Sequence, residues 1–174
     1  MTKKLFIRLI SALLLLCFTN ASHSEEVHRE APPGTLISLN DSQPLNYLQQ
    51  FKGKVVYVDF WASWCGPCAK SFPFMNDLDR DLKSKGLQVI GVNLDENIED
   101  AKQFLTEQPA NFIIGTDSNQ ECAKKFDVKA MPSSYLINKN GVIKQIHLGF
   151  RPDEALEFRT LVEQLLAENP TVHH

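Results

Sequence analysis

The chain is poor in cysteine: its 174 residues hold four, at positions 17, 65, 68 and 122. Only one Cys-x-x-C occurs, and the five histidines (His23, His28, His147, His173 and His174) fall at no spacing that would complete a metal site with it. A structural zinc site needs four ligands, as a rule two Cys-x-x-C pairs or one pair with two histidines, so the residue inventory argues against zinc and no metal is expected. An excess of positive charge is also missing, with 18 Lys and Arg against 21 Asp and Glu. That balance gives no electrostatic case for nucleic acid or an anionic membrane surface as a partner. The sequence has no internal repeat, no low-complexity tract and no apolar run that would comfortably span a bilayer. What remains is an ordinary globular balance, 43% hydrophobic and 22% charged, in a chain long enough for one domain with its own core.

Residues 1–21, MTKKLFIRLISALLLLCFTNA, have the three parts of an export signal. Lys3, Lys4 and Arg8 form the basic start, Leu9 to Phe18 the apolar centre, and Thr19 and Ala21 the small-residue site for cleavage after Ala21. Cleavage after Ser24 is the later alternative, and an uncleaved membrane anchor is the alternative for the whole segment. Cys17 follows Leu16 rather than the small residue that lipid attachment wants, so it is expected to leave with the signal. Removal takes three basic and no acidic residues, leaving 15 against 21, or −6. Export implies an oxidising compartment, with the periplasm the expected one and no stable membrane insertion after cleavage. The mature chain then keeps Cys65, Cys68 and Cys122, an odd number that rules out a fully paired framework within one chain.

Residues 22–34 are polar, contain Pro32-Pro33-Gly34 and read as a flexible leader; 35–168 read as one domain and 169–174 as a tail. TLISL (35–39) is a short strand candidate, and 44–51 a helical turn. KVVYVDFW (54–61) is apolar without alternation, the pattern of a central strand buried on both faces. A helix is expected from Pro67 to Lys85, with Phe72, Met75, Leu78 and Leu82 at helical spacing and a kink at Pro73. LQVIGVNLD (87–95) reads as a second buried strand. Residues 97–108 read as an amphipathic helix burying Ile98, Ala101, Phe104 and Leu105, and 111–115 as a strand. Residues 118–126 read as a short helix capped by Ser118. Asn140-Gly141 between two apolar runs signals a hairpin, and Pro152 opens a last helix, about 153–168, carrying Leu156, Phe158, Leu161, Val162 and Leu165. The order describes an α/β domain with a mostly parallel sheet and an antiparallel edge.

The chemistry sits in WASWCGPCAK, residues 61–70. Cys65 follows a buried strand and starts a helix, where unpaired N–H groups and a partial positive charge favour a thiolate. Cys65 is therefore the expected nucleophile. Cys68, about one turn on, shares its face, so the two sulfurs can close a disulfide with little backbone motion. Pro67 suits the first helical turn, and Gly66 keeps the approach to Cys65 open. A staple closing two intervening residues would gain little chain entropy, which leaves a redox couple. Asp59, the one charge inside VVYVDFW, should be buried and therefore hold its proton unusually tightly.

VDFWASWCGPC with a downstream MPSSYLI resembles the thioredoxin superfamily. The export signal and the segment inserted between residues 95 and 126 resemble its exported TlpA/ResA-like branch. The likeness runs from about Thr35 to Glu168. It implies a thioredoxin fold, with a mixed central sheet, helices on both faces and a TlpA-like α/β insertion, and it implies no cofactor. It implies a cis peptide before Pro132, exposing the backbone of Met131 to substrate, with Trp64 shaping the docking surface. It implies that Asp59 accepts the proton of Cys68. Thioredoxins often set a lysine beside this aspartate; here Gly91 takes that place, so burial alone should govern Asp59. Pro73 matches the family's kink proline, and Gly149 its glycine near the substrate groove. Cys122 is expected to be a buried small hydrophobe and His147 a sheet-face residue. The implied activity is reduction of protein disulfides through a Cys65–Cys68 couple, with a membrane thiol reductase as electron donor. The competing readings are a thiol peroxidase and a non-enzymatic metallochaperone or binding module. Against the first, Ala62 stands three residues before Cys65 where such enzymes usually carry threonine, and no arginine is close in sequence.

Overall fold

The apolar run VVYVDFW forms the expected strand, and all seven of its residues are buried. It lies in the middle of one mixed sheet in the computed structural model, which describes residues 25–169. The export signal, its cleavage points, Cys17, His23, His173, His174 and nearly all of the tail fall outside the described residues. In chain order the elements are β1 (Glu25–Glu30), β2 (Leu36–Ser38), β3 (Pro44–Leu45), α1 (Tyr47–Gln50), β4 (Val55–Trp61), α2 (Gly66–Leu82), β5 (Leu87–Asn93), α3 (Ile98–Glu107), β6 (Ile113–Thr116), α4 (Glu121–Phe126), β7 (Ser133–Ile137), β8 (Val142–Leu148) and α5 (Ala155–Ala167). The strands lie in the order β1-β8-β7-β4-β5-β6-β2-β3. β4, β5 and β6 are parallel, while β7 and β8 form the antiparallel hairpin beside β4.

Alternation along β4 divides the core in two. Val55, Tyr57 and Trp61 face the layer of α2, α3 and α5, against Phe72, Met75, Leu78, Ala101, Phe158 and Val162. Val56, Val58 and Phe60 face the other layer, against Tyr47 of α1 and Cys122 and Phe126 of α4. Both faces are covered, which is why the strand carries no polar alternation. The segment between residues 95 and 126 supplies α3, β6 and α4, and β6 extends the sheet beyond β5. α2 runs on through Pro73 as one helix to Leu82.

Five sequence expectations need correction. The sheet, expected to be mostly parallel with an antiparallel edge, is mostly antiparallel: only β4–β5 and β5–β6 pair parallel, against five antiparallel ladders among the described residues. The segment read as a flexible leader contains a strand: Glu25–Glu30 pairs antiparallel with β8, Glu25 opposite Ile146 and Glu30 opposite Val142, and Ala31 N–H donates to Gly141 O at 2.8 Å. An edge strand needs only backbone bonds, so its polar sequence, EEVHRE, gave no apolar signal; charge at an edge also discourages pairing with other chains. Ser118 does not cap α4. Gln120 precedes it with φ 58°, and the Asp117 carboxylate instead accepts from the N–H groups of Cys122 (3.1 Å) and Ala123 (2.8 Å). Ile98 and Leu156, expected to face the core, are exposed, the latter at 75%. Each lies in the first turn of its helix, ahead of the residues that reach the sheet.

Candidate active site

β4 delivers the chain directly into the Cys-x-x-C turn. Asp95, just past the end of β5, fixes that turn. Its carboxylate accepts from Ser63 N–H and the Ser63 hydroxyl, both at 2.9 Å, and from Asn93 Nδ2 at 2.7 Å. Leu94 N–H donates to Trp61 O at 2.9 Å, tying the ends of β4 and β5 together. Asp95 and Asn93 are buried. Their one sequence signal is position, since Asn and Asp at the end of a buried strand mark a polar anchor of this kind. Asp95→Ala leaves three donors without their acceptor, and is expected to lower stability by about 2–4 kcal/mol in denaturant unfolding, with m unchanged.

Cys65 is the N-cap of α2 and Pro67 lies in the first turn. Cys65 therefore sits at the positive end of the 17-residue helix, although none of the helix N–H groups bonds to its sulfur. Cys65 and Cys68 form a disulfide, with their Cα atoms 5.3 Å apart. Both residues are buried, Cys65 at 5% exposure and Cys68 completely, so Cys65 is the nearer of the two to solvent. Trp64 stands out beside it at 72% exposure, whereas Trp61 is enclosed by Phe72 and Phe104. A Cβ added at Gly66 would meet nothing within 4 Å, so the turn leaves open space there.

The Met131–Pro132 peptide is cis. β7 starts at the next residue with Ser133 opposite Phe60, which sets Pro132 beside the end of β4 where the Cys65 turn departs. Gly149 N–H donates to Pro132 O at 2.8 Å, and Gly149 has φ 80°, which favours glycine. Met131 is partly buried and touches both core layers.

Asp59 is fully buried. It shares its strand face with Tyr57 and Trp61, the face that packs on Cys68 and Phe72. Burial pushes its pKa up to about 7, against a hydrogen bond from Ser134 Oγ to Oδ1 (2.6 Å) that favours the ionised form; Oδ2 has no hydrogen-bond partner among the described residues. Gly91 lies directly opposite on β5, and a Cβ there would meet Phe112 and Ile114 at 3.0 Å and Trp61 Nε1 at 3.1 Å. The space that would take a cation's side chain is filled by aromatic and aliphatic carbon. Ser134 carries no signal of its own in the sequence, because only the register of β7 on β4 brings it to Asp59.

Cys122 lies apart from this site, on the opposite face of the sheet. It is buried, its thiol is 3.9 Å from the Tyr47 hydroxyl, and burial, with the Asp117 charge second, pushes its pKa up to about 12. Iodoacetamide is accordingly expected to leave Cys122 unmodified in the native oxidised protein and to alkylate it after unfolding, as read by mass spectrometry. His147 is half-buried, with its ring stacked edge-on against Phe158 and Nε2 3.3 Å from Glu154, and burial lowers its pKa.

A Cys-x-x-C disulfide at the N-terminus of a helix, after a central parallel strand and beside a cis-proline, defines a thioredoxin-fold dithiol protein. The Redoxin family model matches residues 26–165, and the chain belongs to that family. It is 35% identical over 132 residues to the thiol-disulfide oxidoreductase ResA of Bacillus thuringiensis subsp. konkukian, covering 76% of this chain and 75% of that one. It is 29% identical over 154 residues to ResA of Bacillus subtilis, covering 84% and 86%. Among solved structures it is similar to a Chlorobium tepidum protein proposed to be the thiol:disulfide interchange protein DsbE, with TM-score 0.77, 38% identity and coverage of 83% and 100%. The thioredoxin domain of a thiol-disulfide oxidoreductase from Bacteroides vulgatus gives TM-score 0.70 at 26% identity, covering 79% and 95%. The fold is thus the thioredoxin fold of the TlpA/ResA-like group, and the chemistry is that of a thiol–disulfide oxidoreductase.

Proposed function

We propose that this protein is exported and reduces protein disulfides, with Cys65 as nucleophile and Cys68 as resolving thiol. The observation that carries the proposal is the inequality of the two sulfurs. Cys65 caps the helix and touches solvent, while Cys68 is enclosed on the face that also holds Asp59. The Cys65 thiolate attacks a substrate disulfide, forming a mixed disulfide and releasing one substrate thiolate. Cys68 gives its proton to Asp59 and attacks Cys65 Sγ; the substrate's second sulfur departs, and the Cys65–Cys68 disulfide remains. Trp64, Gly66 and Pro67 form the docking surface around Cys65, and the Met131 backbone before the cis-proline pairs with the substrate main chain. Export to the periplasm is supported by the basic-apolar-small pattern of residues 1–21. Among the described residues no helix is long and apolar enough to cross a membrane. A membrane thiol reductase resets the disulfide, since an oxidising compartment supplies no electrons of its own.

Gly66-Pro67 between the cysteines supports the reducing direction. Equilibration with glutathione should give a reduction potential near that of thioredoxin, about −270 mV. A value near about −120 mV, that of a strong oxidant, would reverse the direction.

A further inference from the structure

The Asp59 carboxyl is held by an ordered chain of hydroxyl groups. Tyr57 donates to Ser134 Oγ at 2.8 Å, and Ser134 donates to Asp59 Oδ1 at 2.6 Å. All three side chains are buried. Tyr57 and Asp59, two apart on β4, share a face, and Ser134 is the residue opposite Asp59 on β7. The chain has one direction: the phenol has a single hydrogen, which goes to Ser134, and the Ser134 hydrogen is then directed at the carboxylate. Oδ2 is left without a partner among the described residues.

We propose that Ser134, oriented by Tyr57, is a positioning residue that keeps Asp59 able to act as the base for Cys68, supplying through a hydrogen bond the stabilisation of the carboxylate that a neighbouring cation would otherwise give. The proposal rests on the reading of Asp59 as base. In the resolving step the Cys68 proton goes to Oδ2, the Cys68–Cys65 bond forms, the bond from Cys65 to substrate sulfur breaks, and that sulfur leaves as the thiolate with the electron pair. Ser134 keeps its hydrogen throughout, and its bond to Oδ1 is strongest while the carboxyl is ionised.

The surroundings leave this hydroxyl as the one group opposing burial. β5 presents Gly91, which has no side chain. α2 presents Cys68, disulfide-bonded to Cys65, and β4 presents Trp61 and Tyr57, the latter kept neutral because burial raises its pKa. Beyond β7, His147 lies opposite Ser134 on β8 but stacks on Phe158 of α5 and faces Glu154. The influences on the Asp59 carboxyl are burial, which raises its pKa, and the Ser134 bond, which lowers it.

The test follows the Cys68-dependent second release when reduced protein reacts with an aromatic disulfide, from about pH 5 to about pH 9. Ser134→Ala should move the inflection up by at least about one pH unit, making resolution about tenfold slower below it and equal to wild type well above it. Ser134→Thr, which retains the hydroxyl, should follow the wild type, and Tyr57→Phe should shift the inflection the same way by less. A wild-type profile in Ser134→Ala, or a Ser134→Thr profile displaced as far as the alanine variant, overturns the proposal. If Ser134→Ala does not fold, Tyr57→Phe carries the test, and an unmoved inflection there overturns it. Asp59→Asn separates the two levels: a wild-type profile in that variant removes Asp59 as base, whereas slow resolution there with a silent Ser134→Ala removes Ser134 alone.

Discussion

Cys65→Ser is expected to lose disulfide reduction by about three orders of magnitude or more while keeping its fold. The loss follows from chemistry rather than packing. A serine hydroxyl stays protonated at neutral pH, and the helix end that favours a thiolate cannot bring it within reach of ionisation. The volume change is small, and Cys65 sits at the surface end of the core, so the unfolding transition should stay cooperative. Cys68→Ser should lose turnover as severely for a different reason: it still attacks, but cannot release itself. Insulin reduction by the two variants, with circular dichroism as the control for folding, checks both statements.

Asp59→Asn is expected to be more stable than the wild type in alkaline solution, and by much less in acid. An unfolded aspartate ionises near pH 3.9, whereas the buried Asp59 carboxyl ionises near pH 7. Between these values the folded protein retains a proton that the unfolded chain has released, so stability falls as pH rises through this window and levels off above it. A difference of about three units corresponds to about 4 kcal/mol lost from the wild type across the window. Asparagine can still accept the Ser134 hydrogen but has no charge to bury, so this loss is absent from the variant. Denaturant midpoints of both proteins at about pH 4 and about pH 9 give the comparison. Parallel stability profiles would mean that Asp59 is not a desolvated acid. The same variant should resolve mixed disulfides slowly, which makes Asp59 a residue that lowers stability where it serves reactivity.

The elements that were legible in the sequence are those whose side chains carry the signal. VVYVDFW announces a strand buried on both faces, and the strand-turn-helix placement of Cys-Gly-Pro-Cys follows from the Pro67 position and the apolar spacing of Phe72, Met75 and Leu78. β1 was invisible because a charged edge strand is made by backbone bonds to β8. Ser118 reads as the α4 cap but Asp117 fills that place, because the left-handed turn at Gln120 cannot be read from residue types. Asp95 and Ser134 escaped for a common reason. Each acts on a residue more than thirty positions away, and the contact exists only once strand register is set. Asp59 lay between these cases: its burial was legible from the run around it, and its hydroxyl partner was not.

In the proposed mechanism Cys65 attacks and Cys68 resolves. The most direct test is the reaction of Cys68→Ser with a protein disulfide, followed by intact mass and peptide mapping without reductant. A stable adduct is expected on Cys65, absent from the Cys65→Ser, Cys68→Ser double variant and absent from Cys122. An adduct on Cys122, or an equally persistent one in Cys65→Ser alone, would contradict it.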